Sequence, residues 1–214
     1  MKRLVLFDLD GTLTDSSEGI LASLSYMMNK LSLKIPDDTI LASFIGPPLR
    51  DSLSTIYGMD NTEVEIAEKV YREYFAERGI HRLAVYPGIE NLLNDLSSNY
   101  LLAIATSKPE IYAKQIVEQI GLTHYFTGIF GADLAGRRSK KADVIAYALN
   151  KLNTKEAVMV GDRKFDILGA KANELSSIGV LYGFGSQQEL VNAKADIVVE
   201  SVDELTDAIR KLIK

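Results

Sequence analysis

The stretch Val5-Leu6-Phe7-Asp8-Leu9-Asp10-Gly11-Thr12 runs apolar for three residues, then sets two aspartates two positions apart ahead of a Gly-Thr pair. Leu4 to Phe7 reads as a short buried strand. If the chain stays extended through Asp8 and Asp10, both side chains fall on one side of the backbone. Two carboxylates so close do not both ionise cheaply without a cation or a shared proton. A buried strand gains nothing structurally from such a pair. The pattern therefore points to a hard divalent cation such as Mg²⁺, which takes one or two carboxylates plus phosphate oxygens. The competing reading is a pair that merely ends a strand and starts a turn.

Composition sets the frame around this stretch. A chain of 214 residues, 47% hydrophobic and 25% charged, can bury a substantial core as one large domain or two small ones. A net charge of −5 argues against non-specific binding to nucleic acid or to an anionic membrane. With no cysteine there is neither a disulfide nor a thiolate metal site. The first apolar run is too short, and too soon acidic, for a signal peptide or a membrane span. The expectation is a cytoplasmic protein, a monomer or weak dimer, with no nucleic-acid or membrane partner.

Downstream of Thr12 the pattern changes. Asp15-Ser16-Ser17 offers N-cap residues for a helix carrying Ile20, Leu21, Leu24, Met27, Met28 and Leu31 at helical spacing. Further helices are expected from Pro36-Asp37-Asp38, over Leu49 to Tyr57, and over Thr62 to Arg78. No strand is evident between about 16 and 83, so a helical block at 16–83 is expected to interrupt a core made of 1–15 and 84–214. From Tyr86-Pro87-Gly88 the chain alternates. Strands are expected at Leu101–Ala105, Gly128–Phe130, Ala157–Val160, Ser177–Val180 and Ile197–Val199. Helices between them are expected at Ile89–Leu96, Ile111–Ile120, Lys141–Leu152 and Ile167–Ala172, with Lys108-Pro109 starting the second. Ser201-Val202-Asp203-Glu204 has capping-box spacing ahead of a last helix. Alternation of this kind predicts an α/β fold with a doubly wound parallel sheet and ligands at the carboxyl ends of its strands.

Polar groups that a sheet core does not need collect at four such ends: Asp8/Asp10, Thr106/Ser107, Arg137-Arg138-Ser139-Lys140-Lys141 and Asp162/Asp166. Brought to one edge, carboxylates would hold a cation while hydroxyl, backbone N–H and lysine take phosphate oxygens. A carboxylate can also attack phosphorus and form an aspartyl-phosphate that water later cleaves. Asp8, directly at the strand end, is the better fixed for that role. Asp10 could then protonate the leaving alkoxide and afterwards deprotonate the water. Anion attacking anion needs charge compensation, which Mg²⁺ and a lysine would supply.

Four ordered motifs resemble those of the haloacid dehalogenase superfamily of phosphohydrolases. They are Asp8-Leu9-Asp10-Gly11-Thr12, Thr106 at a strand end, Lys141 near a helix start, and Gly161-Asp162-Arg163-Lys164-Phe165-Asp166. The resemblance spans essentially the whole chain and implies a Rossmann-like core with a helical cap inserted after the first motif. It implies a nucleophile and Mg²⁺ ligand in Asp8, and a general acid/base in Asp10 that lends its backbone carbonyl to the metal. It further implies a metal ligand in Asp162, and an Asp166 that supports the metal's waters or Lys141. Thr106 and Lys141 would hold phosphate, with Gly11, Thr12, Ser107, Arg50 and Arg138 as further phosphate or substrate contacts.

Within the superfamily the chain is most similar to the phosphoglycolate phosphatase-like group, particularly its 5′-nucleotidase-like branch. The segments that carry this are Phe44-Ile45-Gly46-Pro47-Pro48-Leu49-Arg50, Val85-Tyr86-Pro87-Gly88, Thr106-Ser107-Lys108-Pro109 and Arg138-Ser139-Lys140-Lys141-Ala142. Ser107 stands where the group commonly has Asn, and the Lys-Pro-x-Pro form of the third motif is absent, which leaves Lys140 and Lys141 competing, with Lys141 favoured. Arg50, just past the Gly46-Pro47-Pro48 break, is either a contact for a second substrate anion or an ordinary helix-surface arginine. The implied activity is a Mg²⁺-dependent phosphatase acting on a small phosphorylated metabolite. The alternatives are a phosphosugar mutase on the same scaffold and, from another class, a non-catalytic phosphoaspartate signalling module. A dehalogenase would leave Asp10 and Asp162 surplus.

Overall fold

A computed structural model of the chain describes residues 3–135 and 137–213. The contacts divide it into two compact units, one formed by the chain up to Thr14 together with everything from Val85 onward, the other by Asp15–Ala84.

The first unit is built on a parallel sheet. Its strands are β1 (Leu4–Phe7), β4 (Leu101–Pro109), β5 (Gly128–Ala132), β6 (Ala157–Gly161), β7 (Ser176–Val180) and β8 (Ile197–Val199). They lie in the order β5-β4-β1-β6-β7-β8. Every pairing is parallel, with Phe7 level with Ile104 on one side and with Val160 on the other. The α/β, doubly wound expectation therefore holds, and the order places β1 between β4 and β6. Two further strands, β2 (Thr14–Asp15) and β3 (Ala84–Val85), form a separate two-stranded ribbon where the chain leaves and re-enters this unit.

Both faces of the sheet are covered, which is why its strands read as continuous apolar runs rather than as alternations. On one face Leu4, Leu6, Ala103, Ala105, Ala157 and Met159 pack with Val144, Ile145 and Ala148 of α7 (Lys141–Leu152) and Ala170 of α8 (Lys164–Ala172). On the other, Val5, Phe7, Leu102, Ile104, Val158 and Val160 are equally buried. That side is met by α5 (Ile89–Ser97) against β4 and by α10 (Leu205–Leu212) against β7 and β8.

The Asp15–Ala84 unit is helical: α1 (Ser17–Lys30), α2 (Asp38–Ala42), α3 (Leu49–Tyr57) and α4 (Asn61–Glu77). Leu24, Met27, Met28, Leu53, Val64, Ala67 and Phe75 form its interior, and Tyr26 stacks on Tyr74 at 5.1 Å between ring centroids. Asp60 and Glu63 close a reciprocal capping box on α4, which fixes that helix's start. No helix among the described residues is long and apolar enough to cross a membrane.

Local chemistry departs from the sequence reading in several places. On α1 it is Asp15, not Ser16, that accepts from the first free backbone N–H, that of Ser17, at 3.0 Å. Ser201 does not accept at a helix start. A 3₁₀ turn over Val202–Glu204 precedes α10, and Glu204 reaches back to accept from the Ser201 hydroxyl and the Glu200 N–H. A helix that periodicity did not announce, α9 (Gln187–Asn192), is capped by Ser186, which accepts from Glu189 N–H.

The β4 strand runs past its expected end at Ala105 to Pro109, and its register against β5 shifts between Ala105 and Pro109. Helix α6 (Glu110–Gln119) follows at once, so Lys108 belongs to the strand and not to a helix start. The irregular end is clamped. Arg138 Nε donates to Gly131 O at 2.9 Å and its guanidinium pairs with Glu110 at 3.2 Å, stacked 3.8 Å above the Tyr147 ring. Glu110 in turn accepts from Gly131 N–H. A methyl group at Gly131 would sit 2.6 Å from Lys108 O and 2.6 Å from Glu110 Cα, both backbone atoms that a rotamer change does not move. Gly131→Ala is expected to cost about 1–3 kcal/mol of stability through this overpacking, read as a lower urea midpoint with an unchanged m-value.

Candidate active site

The chain leaves β1 at Phe7 and turns immediately. Asp8 N–H still donates to Val160 O across the sheet, at 2.9 Å, while Thr12, Leu13 and Thr14 all donate to Leu9 O. Gly11 stands at φ 85°, and a side chain there would run into Asp162 Oδ2, so only glycine lets this turn lie against the next acidic group. The turn also undoes the extended geometry assumed for Asp8 and Asp10. The two carboxylates meet different lysines.

Asp8 Oδ1 accepts from Leu9 N–H at 2.7 Å and lies 2.8 Å from Lys141 Nζ. The same ammonium is 2.7 Å from Asp166 Oδ1 and donates to Ala105 O at 3.1 Å. Of the two competing lysines it is thus Lys141 that reaches the aspartates, and Lys140 is exposed at the helix N-cap. Asp166 is fixed on its other oxygen by Arg163 N–H at 3.0 Å. Asp162, after β6, accepts from Phe184 N–H at 2.8 Å and from the Thr12 hydroxyl at 3.4 Å. Asp8, Asp162 and Asp166, all buried, offer oxygens within 4.8 Å of one another.

Three buried carboxylates thus face one ammonium. Burial is the main force on Asp8 and lifts its carboxyl to about 6, against the pull of Lys141. Burial, then the charges of Asp166 and Asp8, push Asp162 well above the ordinary carboxylate range. Burial alone would lower Lys141, but Asp166 and Asp8 more than reverse this and hold it cationic. The negative charge left over is what a hard divalent cation neutralises, and an all-oxygen donor set suits such an ion.

The remaining residues singled out from sequence are placed differently. Asp10 turns its carboxylate to Lys108, at 2.8 Å, and its side chain is not in the three-carboxylate group. The Thr106 hydroxyl is buried and accepts from Lys108 N–H, while Ser107 Oγ is buried with no hydrogen-bond partner. Arg138 serves the β4–β5 clamp, and Arg137 pairs with Asp133 at 3.6 Å. Arg50, within the helical unit, shares Glu68 with Arg72, at 3.2 and 3.0 Å.

The site also contains residues to which the sequence assigned no catalytic or binding role. Lys108 is one. Tyr182 is another: its hydroxyl donates to Thr12 O at 3.0 Å, its ring meets Tyr86 edge-on, and burial pushes its phenol upward. The Gly183-Phe184-Gly185 turn closes on Asp162, with Gly183 against Gly11 O and Gly185 against Asp162 O. Its glycine spacing was the available signal. Glu189 of α9 accepts from Arg163 Nε and Lys164 N–H, both at 2.9 Å, and so steadies the start of α8.

A parallel sheet whose central strand ends in buried carboxylates, lysine-compensated and open to a hard cation, defines a class of α/β hydrolytic site. The comparisons give the family. The haloacid dehalogenase-like hydrolase family matches residues 5–180. A 5′-nucleotidase from Pseudomonas aeruginosa is 40% identical over 189 residues, covering 87% of this chain and 86% of its own. The tyrosine-protein kinase PtkA of Mycobacterium tuberculosis is 35% identical over 97% of this chain and 72% of its own. The crystal structure of a predicted phosphatase from Clostridium acetobutylicum superposes with a TM-score of 0.96 at 47% identity, covering 99% and 100% of the two chains. The chain belongs to the haloacid dehalogenase-like hydrolase family, among its phosphoric monoester hydrolases.

Two expectations follow from the charge balance. Lys141→Met would leave buried carboxylates unopposed and cost about 3–5 kcal/mol, measured as the shift in denaturant midpoint in metal-free buffer at pH 7. A divalent cation must also compete with protons for Asp8 and Asp162. Because folding raises their carboxyl affinity for protons, the metal-free protein loses stability as pH climbs from about 4 through about 6. Added Mg²⁺ should therefore raise the melting temperature more at pH 7.5 than at pH 5, by differential scanning fluorimetry with EDTA controls.

Proposed function

We propose that the enzyme is a Mg²⁺-dependent phosphatase that hydrolyses a small phosphate monoester through an aspartyl-phosphate on Asp8. The supporting observation is the group of three buried carboxylates, Asp8, Asp162 and Asp166, set against the single Lys141 ammonium. Asp8 and Asp162 would hold the ion, together with the backbone carbonyl of Asp10, while Asp166 keeps Lys141 charged and in place. The bound Mg²⁺ would supply the positive charge that lets an anionic nucleophile approach an anionic phosphoryl group.

The chain's own residues then divide the work. Asp8, its Oδ1 already turned to Leu9 N–H and Lys141, attacks phosphorus with its other oxygen. The phosphorus–oxygen bond to the leaving group breaks, and the carboxyl proton of Asp10 passes to the departing oxygen. Asp10, now a carboxylate, takes a proton from water as that water attacks the phosphoryl group on Asp8. The acyl-phosphate bond opens, and inorganic phosphate and free Asp8 result. Lys141 and the Thr106 and Ser107 hydroxyls bind phosphoryl oxygens. Ser107 Oγ, buried and unpartnered, has hydrogen-bonding capacity in hand for this.

A 5′-nucleoside monophosphate is the favoured substrate class, in line with the 40% identical 5′-nucleotidase. Phosphoglycolate is the next candidate, from the motif resemblance. The test is phosphate release from a panel of 5′-nucleoside monophosphates, phosphoglycolate and phosphotyrosine, with Mg²⁺ or with EDTA. Turnover should require Mg²⁺, favour one or more nucleotides, and fall by at least about 10³-fold in Asp8→Asn. Activity that survives Asp8→Asn would remove Asp8 as nucleophile, and activity in EDTA would remove the metal.

A further inference from the structure

A lysine at the end of a strand normally runs out to water. Lys108 does the opposite. Its Nζ lies 2.8 Å from Asp10 Oδ2, and the two side chains are only 6% and 11% exposed. Both residues follow the last paired positions of neighbouring strands, Asp10 three residues beyond Phe7 and Lys108 four beyond its partner Ile104. The direction of Lys108 is set by the irregular end of β4, since a register shift re-aims the side chains that follow it. That end is held from below by the Arg138–Glu110–Gly131 clamp and from within by Thr106 Oγ1, which accepts from Lys108 N–H at 3.2 Å.

We propose that Lys108 is a positioning residue for Asp10, holding its carboxylate in the orientation from which it serves the leaving group. The inference rests on the reading of Asp10 as acid and base. A buried ion pair is weak support for stability, because a pair of apolar side chains would fill the same space at no greater cost. Its value lies in geometry. Asp10 sits where the chain turns, and the ion pair restrains the two bonds about which its short side chain rotates. A displacement of about 1 Å in a group that must meet a reacting oxygen costs on the order of 10²-fold in rate.

The experiment compares two substrates that differ in their need for a proton. An alkyl phosphate releases an alkoxide and needs the acid, whereas p-nitrophenyl phosphate releases a stable phenolate and does not. The value of kcat/KM is followed because it ends with departure of the leaving group. Lys108→Met should lower it about 10-fold or more for the alkyl ester and less than about threefold for the nitrophenyl ester. Lys108→Arg, which keeps the charge, should restore part of the loss. Asp10→Asn, run in parallel, should show the same bias more strongly. Equal losses on both esters in Lys108→Met, or failure of that variant to fold by thermal melting and circular dichroism, would make Lys108 a structural residue and overturn the inference. A bias in Asp10→Asn without one in Lys108→Met would overturn the inference and leave the reading of Asp10 standing. No bias in either would remove the reading of Asp10, and the inference with it.

Discussion

The Lys141 ammonium donates to Ala105 O in β4 and lies within ion-pair distance of Asp8 Oδ1 after β1 and of Asp166 Oδ1 in α8. Lys141 itself is the first residue of α7, so four segments meet at one buried charge. A charge taken out of water this completely is tolerated only when opposite charge lies close to it. The requirement runs in both directions. The carboxylates keep the lysine ionised, and the lysine is what allows acidic side chains to end a strand inside the protein. The α7–α8 contact is tailored to it: a methyl group at Gly169 would lie 2.9 Å from Lys141 Cγ, so a larger residue there would displace the stem of the lysine.

Around that charge, the acidic groups are restrained by backbone amides. Leu9 N–H holds Asp8, Phe184 N–H holds Asp162, and Arg163 N–H holds Asp166. Amide donors cannot rotate away as side chains can, and they stabilise the charged form of an acceptor that burial opposes. Like charges are thereby kept within 4.8 Å of each other even though their repulsion raises the proton affinity of Asp8 and Asp162. This is local destabilisation of the kind that the rest of the fold must offset, here through a sheet whose inner strands are buried on both faces.

The sheet was legible because its cause is local. Buried parallel strands must be apolar throughout, so Leu4–Phe7 and Ala157–Val160 announce themselves without knowledge of their neighbours. The acidic residues were legible for a related reason: polar groups at the ends of such runs have no structural purpose that the run explains. Asp8, Asp162, Asp166 and Lys141 do converge. Sequence was silent where meaning depends on a contact far along the chain. Tyr182 meets Thr12 across 170 positions, and Phe184 meets Asp162 across 22. Arg138 looked like a candidate for anion binding because it precedes Lys141, but its fork was already required by Glu110 and Gly131. Helix α9 is only six residues long, too short for periodicity to register.

Lys108 was misread for the same kind of reason, and the error shows how the two aspartates differ. Spacing alone suggested that Asp8 and Asp10 form one unit, since residues two apart in a strand share a face. The bend at Leu9, between the two, breaks that equivalence. Asp8 goes to a lysine that is also tied to Asp166 and to the backbone of β4, a partner with no freedom to leave. Asp10 goes to a lysine on the irregular end of β4. A nucleophile must stay fixed while its charge is lost to a new covalent bond. An acid that later becomes a base must instead accept and release a proton in the same place. In the roles proposed for the two aspartates, the lysine shared with Asp166 fits the first task and the lysine from the end of β4 fits the second. Two residues that look alike in the sequence are set apart chemically by which cation the fold sends to each.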